Sequence, residues 1–300
     1  MSRKSTKATT GARKRSPGRA DYDTYVTHKS VSKSASKAAI ASAYTIEVRF
    51  LGGLTESQKQ AFKKAADRWS RVIVGDLPSV VVNGEVIDDL LIEAEGVPID
   101  GVGKILGQAG PRRLRPMAAG KAAMLPATGL MSFDTADLAS MEADGTLVDV
   151  ITHEMGHVIG IGTIWERKGL LAGVGTTNPT FIGSNAKKAF GVLRGTGPKP
   201  VPVENTGGPG TRDSHWRESV FRNELMSGFI SEADNPLSRL TVASLIDLGY
   251  EVSLSAAEPY ALPNLQSLAE KGMLAAVLQA PHAHALPIFA PKVLPDSSLV

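Results

Sequence analysis

The stretch from Val150 to Trp165, VITHEMGHVIGIGTIW, constrains the fold of this chain more than any other segment. His153 and His157 are four residues apart, so on an α-helix their side chains lie almost one above the other. Two imidazole nitrogens placed in this way can bind one metal ion at about 2.0 to 2.1 Å. Apolar residues surround the pair, which predicts a largely buried helix from about Thr146 to Ile159.

The residues beside these histidines indicate the chemistry of the site. Glu154 follows the first histidine, as in the HExxH arrangement, where the glutamate is the general base that takes a proton from water at the metal. Gly160 lies three residues after His157 and allows the chain to leave the helix abruptly, although a lone glycine indicates only a helix end. Catalytic zinc needs three protein ligands, so one ligand must come from elsewhere.

The chain has no cysteine, so the missing ligand must be His, Asp or Glu. Of the other four histidines, His28 lies in a basic N-terminal segment, and we expect His282 and His284, in a proline-rich tail, to be solvated. His215 is the best candidate, in the segment DSHWRESVFRNELMSGFI, with Met226 eleven residues later. Taken alone, His215 could be a buried hydrogen-bonding residue and Met226 a core residue.

Taken together, HEMGHVIGIG, the His215-Trp216 pair and the Glu224-Leu225-Met226 segment resemble the leishmanolysin-like metzincins. In that family an insertion separates the glycine of the helix motif from the third histidine, and Thr163 stands here at the usual metzincin position of that histidine. The resemblance covers about residues 44 to 262. It implies that His153, His157 and His215 bind zinc, and that Met226 is the Met-turn residue beneath the metal.

The resemblance also implies a fold and an activity. We expect an α+β, metzincin-type zincin, with an N-terminal twisted sheet, packed helices that include the HExxH helix, and an irregular C-terminal subdomain. The implied function is a zinc-dependent endopeptidase that acts on protein or peptide substrates, with Zn²⁺ as cofactor and Glu154 as general base. Cell-surface location and thiol-type latency, which that family combines with disulfides and a membrane anchor, are not carried over to this cysteine-free chain.

Three alternatives stay open at this point. In a gluzincin the third ligand is a glutamate on a second helix, for which Glu218 and Glu224 are candidates, although Gly160 and Met226 have no role in that scheme. The same three histidines would also serve a zinc-dependent amidase or deacylase that acts on a non-protein substrate. The basic N-terminal segment could instead make this a polyanion-binding protein with a secondary zinc site.

Charge and composition divide the chain into three parts. Residues 1 to 40 hold ten Lys or Arg and two Asp, so the remainder holds 23 basic and 28 acidic residues. We expect residues 1–42 to be a disordered basic arm, because they have too few large apolar residues to offset their ordering entropy. Residues 43–262 are the predicted catalytic domain, with an upper part (43–161) and a lower part (162–262), and residues 263–300 are a proline-rich tail without a core role.

Local patterns predict several elements of the catalytic domain. A strand covers residues 44–50, and Thr55 with Gln58 forms a capping box at the start of a helix. Gly110-Pro111 indicates a turn, and residues 130–133 are a predicted edge strand on which an extended substrate pairs. A short helix covers residues 134–142, with Asp134 as its cap; Asp134 and Asp137 could alternatively bind calcium.

Later in the chain, residues 169–211 are rich in Gly, Pro, Thr and Asn, which predicts loops, and a further helix covers residues 236–248 and ends at Gly249. The sequence has no Sec or twin-arginine signal and no apolar run long enough to cross a membrane. We therefore expect no membrane span, and a cytoplasmic protein or one exported by an unconventional route. No specific nucleic-acid partner is expected, and the sequence does not indicate an oligomeric state.

Overall fold

A six-stranded mixed sheet forms the frame of the upper part of the molecule. The computed structural model describes residues 22–27, 44–101, 103, 107–208, 210–230, 233–264 and 290–300. Its strands are β1 (Asp23–Val26), β2 (Ile46–Gly52), β3 (Val80–Val82), β4 (Glu85–Ile87), β5 (Leu90–Val97), β6 (Gly107–Leu114), β7 (Pro126–Asp134), β8 (Leu171–Ala172), β9 (Thr180–Phe181), β10 (Val201–Pro202) and β11 (Lys292–Val293). The large sheet has the order β1-β2-β5-β7-β6-β11. Strands β2, β5 and β7 run parallel, whereas β1 and β6 are antiparallel to their neighbours β2 and β7.

Helices pack on this sheet and fill the lower part, so the expected mixed α+β composition is confirmed. They are α1 (Glu56–Val72), α2 (Thr135–Asp144), α3 (Leu147–Ile159), α4 (Ser184–Leu193), α5 (Glu218–Phe221) and α6 (Arg239–Leu248). The HExxH segment lies in α3, as predicted. Gly249 ends α6 in a left-handed conformation, also as predicted.

Helix α1 begins at the predicted capping box. The Thr55 hydroxyl accepts a hydrogen bond from the Gln58 amide at 3.2 Å, and Gln58 Oε1 accepts one from the Thr55 amide at 2.9 Å. Phe62 and Trp69 on its apolar face are fully buried. Trp69 Nε1 donates to the carbonyl oxygen of Thr152 at 2.9 Å, so α1 is bonded directly to the helix that carries the histidines.

Helix α3 also lies directly against the sheet. A Cβ atom at Gly129 in β7 would be 2.3 Å from Cγ1 of Val158, so only glycine allows the strand to come this close. Helix α1 packs on the same sheet, where the ring of its Phe62 makes an edge-to-face contact with the ring of Phe133 in β7, with centroids 5.6 Å apart. The main core therefore lies between the sheet and the helix pair α1 and α3, and it fixes the position of α3.

The lower part is less regular, and two of its helices, α4 and the short α5, were not predicted. Residues 169–211 contain the small β10-β9-β8 sheet and helix α4 in addition to loops. Helix α4 begins where Asp247 of α6 accepts hydrogen bonds from the amides of Asn185 and Ala186 at 3.0 and 2.9 Å. Because this cap comes from a residue about sixty positions later in the chain, local sequence patterns do not show it.

The predicted edge strand is wrong, because residues 130–133 lie in β7 between β5 and β6. The strand beside β7 is β6, in a segment where Gly110-Pro111 indicated a turn, and β11 covers only its end at Arg113 and Leu114. Pro111 lies within β6, next to a register shift between Pro111 and Arg113. Proline lacks an amide hydrogen, and it is found in sheets mainly on edge strands and at bulges, which agrees with its position here.

Two terminal segments also differ from the prediction. Asp23–Val26, assigned to the disordered arm, forms β1 and pairs with residues 47–50 of β2. In the tail, Lys292–Val293 pairs with Arg113 and Leu114 of β6, and Leu299 packs against a small cluster that includes Val80. Residues 1–21, 28–43 and 265–289 lie outside the described residues.

Among the described residues, no helix is both long enough and apolar enough to span a membrane.

Candidate metal centre

Two of the three candidate ligands lie on α3. His153 and His157 have no exposed surface, and their ring centroids are 4.7 Å apart. The first turn of the helix is held by Asp149, which accepts hydrogen bonds from Arg68 Nη1 at 3.2 Å and from the Asn235 amide at 2.9 Å. Because Arg68 belongs to α1 and Asn235 to the lower part, α3 is fixed to both halves of the molecule.

Gly160 ends α3, as predicted, with a φ of +118°. The amides of Gly160 and Ile161 both donate to the carbonyl oxygen of Gly156, at 3.1 and 3.0 Å. This turn brings the Ile161 carbonyl oxygen within 2.9 Å of His157 Nδ1. Thr163 donates its hydroxyl to the carbonyl oxygen of His157 at 2.8 Å instead of approaching the other histidines. The glycine turn therefore also orients the second histidine.

The third histidine comes from the lower part, more than fifty residues later in the chain. His215 is fully buried, and its carbonyl oxygen accepts a hydrogen bond from the Glu204 amide at 2.9 Å. A Cβ atom at Gly162, where φ is +76°, would be 2.0 Å from the carbonyl oxygen of Ser214. The segment before His215 therefore approaches the segment after α3 as closely as two backbones can.

The Nε2 atoms of the three histidines converge. The distances are 3.0 Å from His153 to His157, 3.0 Å from His153 to His215, and 2.9 Å from His157 to His215. On the opposite side of the rings, His153 Nδ1 lies 2.7 Å from the Leu225 carbonyl oxygen and His215 Nδ1 lies 2.9 Å from that of Thr211. A carbonyl oxygen only accepts, so each Nδ1 carries the hydrogen and each Nε2 presents a lone pair.

This arrangement fits a metal ion. Three lone pairs that face each other at about 3 Å repel, and a cation between them removes the repulsion. Three nitrogens with this spacing can all lie about 2.0 to 2.1 Å from one ion, which is the usual Zn–N distance. Hydrogen bonds from the opposite ring nitrogen to carbonyl oxygens are common around metal-binding histidines, because they fix the tautomer and the ring orientation.

Met226 lies against α3 between the two histidines. A Cβ atom at Gly156 would be 2.8 Å from the Met226 sulfur and 3.0 Å from Cζ2 of Trp69. Met226 is fully buried, and its carbonyl oxygen accepts a hydrogen bond from the Trp216 amide at 2.9 Å. Only glycine at position 156 leaves space for this methionine, so the segment that carries Met226 packs directly on the metal-site helix.

The glutamates take different positions. Glu154 is 1% exposed and follows His153 in α3. Burial raises the pKa of Glu218 to about 7 and raises that of Glu224 above its ordinary value. Within the described residues, the group that could hold a metal here consists of the three histidines and includes no carboxylate. The geometry therefore brings His215, and not Glu218 or Glu224, to the histidine pair.

The two carboxylates of the alternative calcium site, Asp134 and Asp137, bind backbone amides. Asp134 caps α2 by accepting a hydrogen bond from the Ala136 amide at 2.8 Å, as predicted. Its other oxygen accepts from three backbone amides in the segment 99–101, and these hydrogen bonds lower its pKa to about 2. Asp137 Oδ1 accepts from the Gly103 amide at 2.8 Å. These donors agree with capping and loop anchoring, and Asp134 and Asp137 form no metal-binding group among the described residues.

Sequence reasoning missed several residues that build the site. Gly162 allows the close approach of Ser214, and the Leu225 carbonyl orients His153. Beside His215, the Trp165 and Trp216 rings stack with centroids 4.6 Å apart, and both are fully buried. The second glycine of the Gly-Ile-Gly turn was a local signal for Gly162, whereas the other contacts have no local signal. Of the remaining histidines, His28, His282 and His284 lie outside the described residues.

Comparisons with known proteins agree with this geometry. The family model described as leishmanolysin matches residues 121–271, which include all three histidines and Met226. A leishmanolysin homologue from Crithidia fasciculata is 27% identical over 140 residues, which is 42% of this chain. The match covers only 20% of that relative, so this chain spans a small part of its length. The chain therefore belongs to the leishmanolysin family, whose members are zinc metallopeptidases.

Proposed function

We propose that this chain is a zinc-dependent endopeptidase that hydrolyses peptide bonds. The observation that carries the proposal is the convergence of three Nε2 lone pairs within 3.0 Å, each ring held by a hydrogen bond from Nδ1 to a carbonyl oxygen. Family membership supports the same activity. We assign His153, His157 and His215 as the zinc ligands.

The metal and the protein have separate tasks in this proposal. Zinc held by three neutral imidazoles supplies Lewis-acid chemistry, which acidifies water and polarises the carbonyl group of a peptide bond. Glu154 is the general base: it accepts a proton from the attacking water and passes it to the leaving amine. Its place in α3 next to His153, and its almost complete burial, support this role. No covalent bond between the enzyme and the substrate is required.

We further propose a metzincin-type arrangement, in which Gly160 turns the chain beneath the metal and Met226 supports the site from below. The left-handed conformation of Gly160 and the contact between Met226 and α3 support these roles. In this arrangement the upper part, residues 43–161, and the lower part, residues 162–262, form the two walls of a substrate cleft.

The substrate would pair with β6 as an extended strand. Residues 107–111 of β6 pair with β7 on one side, and among the described residues no strand pairs with them on the other side. Free backbone groups on an edge strand can bind an extended peptide by adding a strand to the sheet. Residues 130–133, the strand expected from the sequence, have β5 and β6 on either side and leave no open side for a substrate.

The proposal is tested by measuring the zinc content and the casein cleavage of wild type and of the variant Glu154→Ala. We expect about one zinc per chain in both wild type and variant, with cleavage reduced about 10²- to 10⁴-fold in the variant, because only the general base is lost. Glu166→Ala is a suitable control. Glu166 is exposed and lies just after α3, so this variant should retain full activity. Equal activity of wild type and Glu154→Ala would contradict the role of Glu154.

The same assay distinguishes an amidase or deacylase from an endopeptidase. An enzyme that acts on a non-protein substrate would bind zinc and cleave small amides but leave unstructured proteins intact. An endopeptidase would cleave casein, with a loss of turnover in Glu154→Ala. Zinc-loaded wild-type protein that cleaves only small amides would therefore refute the endopeptidase proposal.

A further inference from the structure

We infer that Glu224 is a positioning residue for the metal site, which holds the segments of two ligand histidines in place without touching either ring. The inference rests on the proposed zinc site. Glu224 has no exposed surface and lies between α5 and α6, directly before the Leu225-Met226 segment. Burying a carboxylate is costly unless its oxygens are fully hydrogen-bonded, so its partners show what it holds.

Four donors surround this carboxyl group. Oε2 accepts a hydrogen bond from the Met226 amide at 2.7 Å. Oε1 accepts from the Ser238 amide at 3.1 Å, from the Ser238 hydroxyl at 2.6 Å and from the Thr241 hydroxyl. Ser238 is the N-cap of α6 and Thr241 lies in its first turn. One side chain therefore bonds the Met226 segment to the start of α6.

The directions of these hydrogen bonds follow from their other partners. Trp216 Nε1 donates to the Thr241 hydroxyl oxygen at 2.8 Å, so the hydrogen of that hydroxyl is available for Glu224. The Ser238 oxygen accepts from the Thr241 amide, so its hydrogen is also directed at Glu224. Two hydroxyls and two backbone amides thus donate to one carboxyl group. A carboxylate can accept all four, whereas an amide side chain would place an N–H group against a donor.

The first consequence concerns His153. Glu224 bonds the Met226 amide two residues later, which closes a tight turn around Leu225. The Leu225 amide donates to the Pro236 carbonyl oxygen at 3.0 Å, and the Leu225 carbonyl accepts the hydrogen bond from His153 Nδ1 at 2.7 Å. Glu224 therefore fixes the carbonyl that sets the tautomer and the orientation of this ring.

The second consequence concerns His215. The next residue is Trp216, whose indole is bonded through Thr241 to Glu224, and whose amide donates to the Met226 carbonyl oxygen at 2.9 Å. The backbone beside His215 is thus held at both ends of the Trp216 residue. Loss of the Glu224 charge would loosen the surroundings of His153 and His215 together.

The experiment measures metal binding by the full-length chain with Glu224→Gln. Metal-free protein is titrated with Zn²⁺ against a chromophoric chelator, and with Co²⁺ while the visible spectrum is recorded. We expect the variant to lose about 10- to 100-fold in Zn²⁺ affinity, the usual effect of removing a residue that orients metal ligands. We also expect its Co²⁺ spectrum to differ from that of wild type, because two ligand rings are less well oriented.

Asp134→Asn is the matched control. Asp134 is also buried and also accepts four hydrogen bonds, but from the segment 99–101 and the start of α2, away from the histidine-bearing segments. The same acid-to-amide change should lower the thermal unfolding midpoint in both variants, whereas metal affinity and the Co²⁺ spectrum should change only in Glu224→Gln. A purely structural Glu224 would give two variants with equal, wild-type metal binding.

The outcomes separate the two proposals. Wild-type protein that binds no Zn²⁺ would refute the zinc site, and the role of Glu224 with it. Wild-type binding together with unchanged binding in Glu224→Gln would refute the positioning role alone. If Glu224→Gln does not fold, Thr241→Val provides the same test, because it removes one of the four donors and the acceptor for Trp216.

Discussion

Single glycines set how closely the backbone segments of the site approach one another. At Gly156 the missing side chain leaves space for the Met226 sulfur, and at Gly162 it leaves space for the carbonyl oxygen of Ser214. A methyl group at position 156 would move Met226 away from α3, and one at position 162 would move Ser214 away from the turn that follows α3. Since His215 and Met226 both come from the lower part, these two contacts decide whether the third histidine reaches the first two.

Gly162→Ala tests this at the scale of one residue. The change adds left-handed strain and a backbone clash, so we expect a loss of more than about 2 kcal/mol in unfolding free energy and at least a tenfold loss in Zn²⁺ affinity. The matched control is Gly169→Ala, where φ is +66° and the added Cβ meets nothing within 4 Å. It should cost about 1 kcal/mol of stability from strain alone and leave metal affinity unchanged. Chemical denaturation and chelator competition measure both quantities, and equal metal affinities in the two variants would contradict the argument.

At the scale of elements, the sheet brings an edge strand to the side of the molecule that α3 covers. Strand β6 is the antiparallel neighbour of β7, and it carries Pro111 beside a register shift. Such features are tolerated where one side of a strand does not belong to a ladder. Pro111 and the register shift make β6 difficult to recognise in the sequence. The same two features are typical of a strand with an open side, and such a strand can bind an extended peptide.

Proline substitutions at Gln108 and Ala109 test the role of this edge. Amides of neighbouring residues point to opposite sides of a strand, so one variant loses a hydrogen bond to β7 and the other loses an amide on the outer side. We expect the variant that retains its thermal unfolding midpoint to show the larger rise in KM for casein, with zinc content unchanged. The two variants serve as controls for each other. If the more stable variant cleaves casein like wild type, the substrate does not pair with β6.

At the scale of the whole molecule, segments far apart in sequence complete the sheet and the core. The C-terminal residues 290–300 add β11 to β6 and place Leu294 and Leu299 on a cluster of buried residues from four strands, namely Val80, Ile87, Leu91 and Ala127. The Val300 amide also donates to the carbonyl oxygen of Ser79 at 3.1 Å. The proline-rich tail thus ends in a segment that contributes to the core, contrary to the prediction.

Leu299→Ser measures this contribution. Leu299 is partly buried in the small cluster, so we expect a loss of about 1 to 2 kcal/mol in unfolding free energy. Val293→Ser is the control, because this apolar residue of the same segment is 40% exposed and should change stability little. Denaturant titration compares the two variants, and equal stabilities would show that the segment adds no core energy. Metal affinity should be the same in both variants, because Val293 lies in β11 and Leu299 in the small cluster, away from the histidines.

Much of the candidate site could be read from the sequence, because its signals are local. Four-residue spacing places His153 and His157 on one face of a helix, and Gly160 marks the end of that helix. His215 and Met226 could be named only through the resemblance to a family, since nothing in the spacing of residues shows that a loop fifty positions later returns to α3. In the structure His215 lies beside the pair, whereas its role as a ligand and the role of each residue in catalysis stay proposals.

The sequence by itself determined the helices with local caps and the helix that carries His153 and His157, since periodicity and capping act over a few residues. Tertiary structure alone decided which strand lies at the edge, that the terminal segments join the sheet, that Asp247 caps α4, and that Glu224 connects Met226 to Trp216 through Thr241. These features depend on contacts between residues far apart in the chain, where backbone hydrogen bonds and close packing select the partner. The local sequence therefore does not show which distant segments become partners.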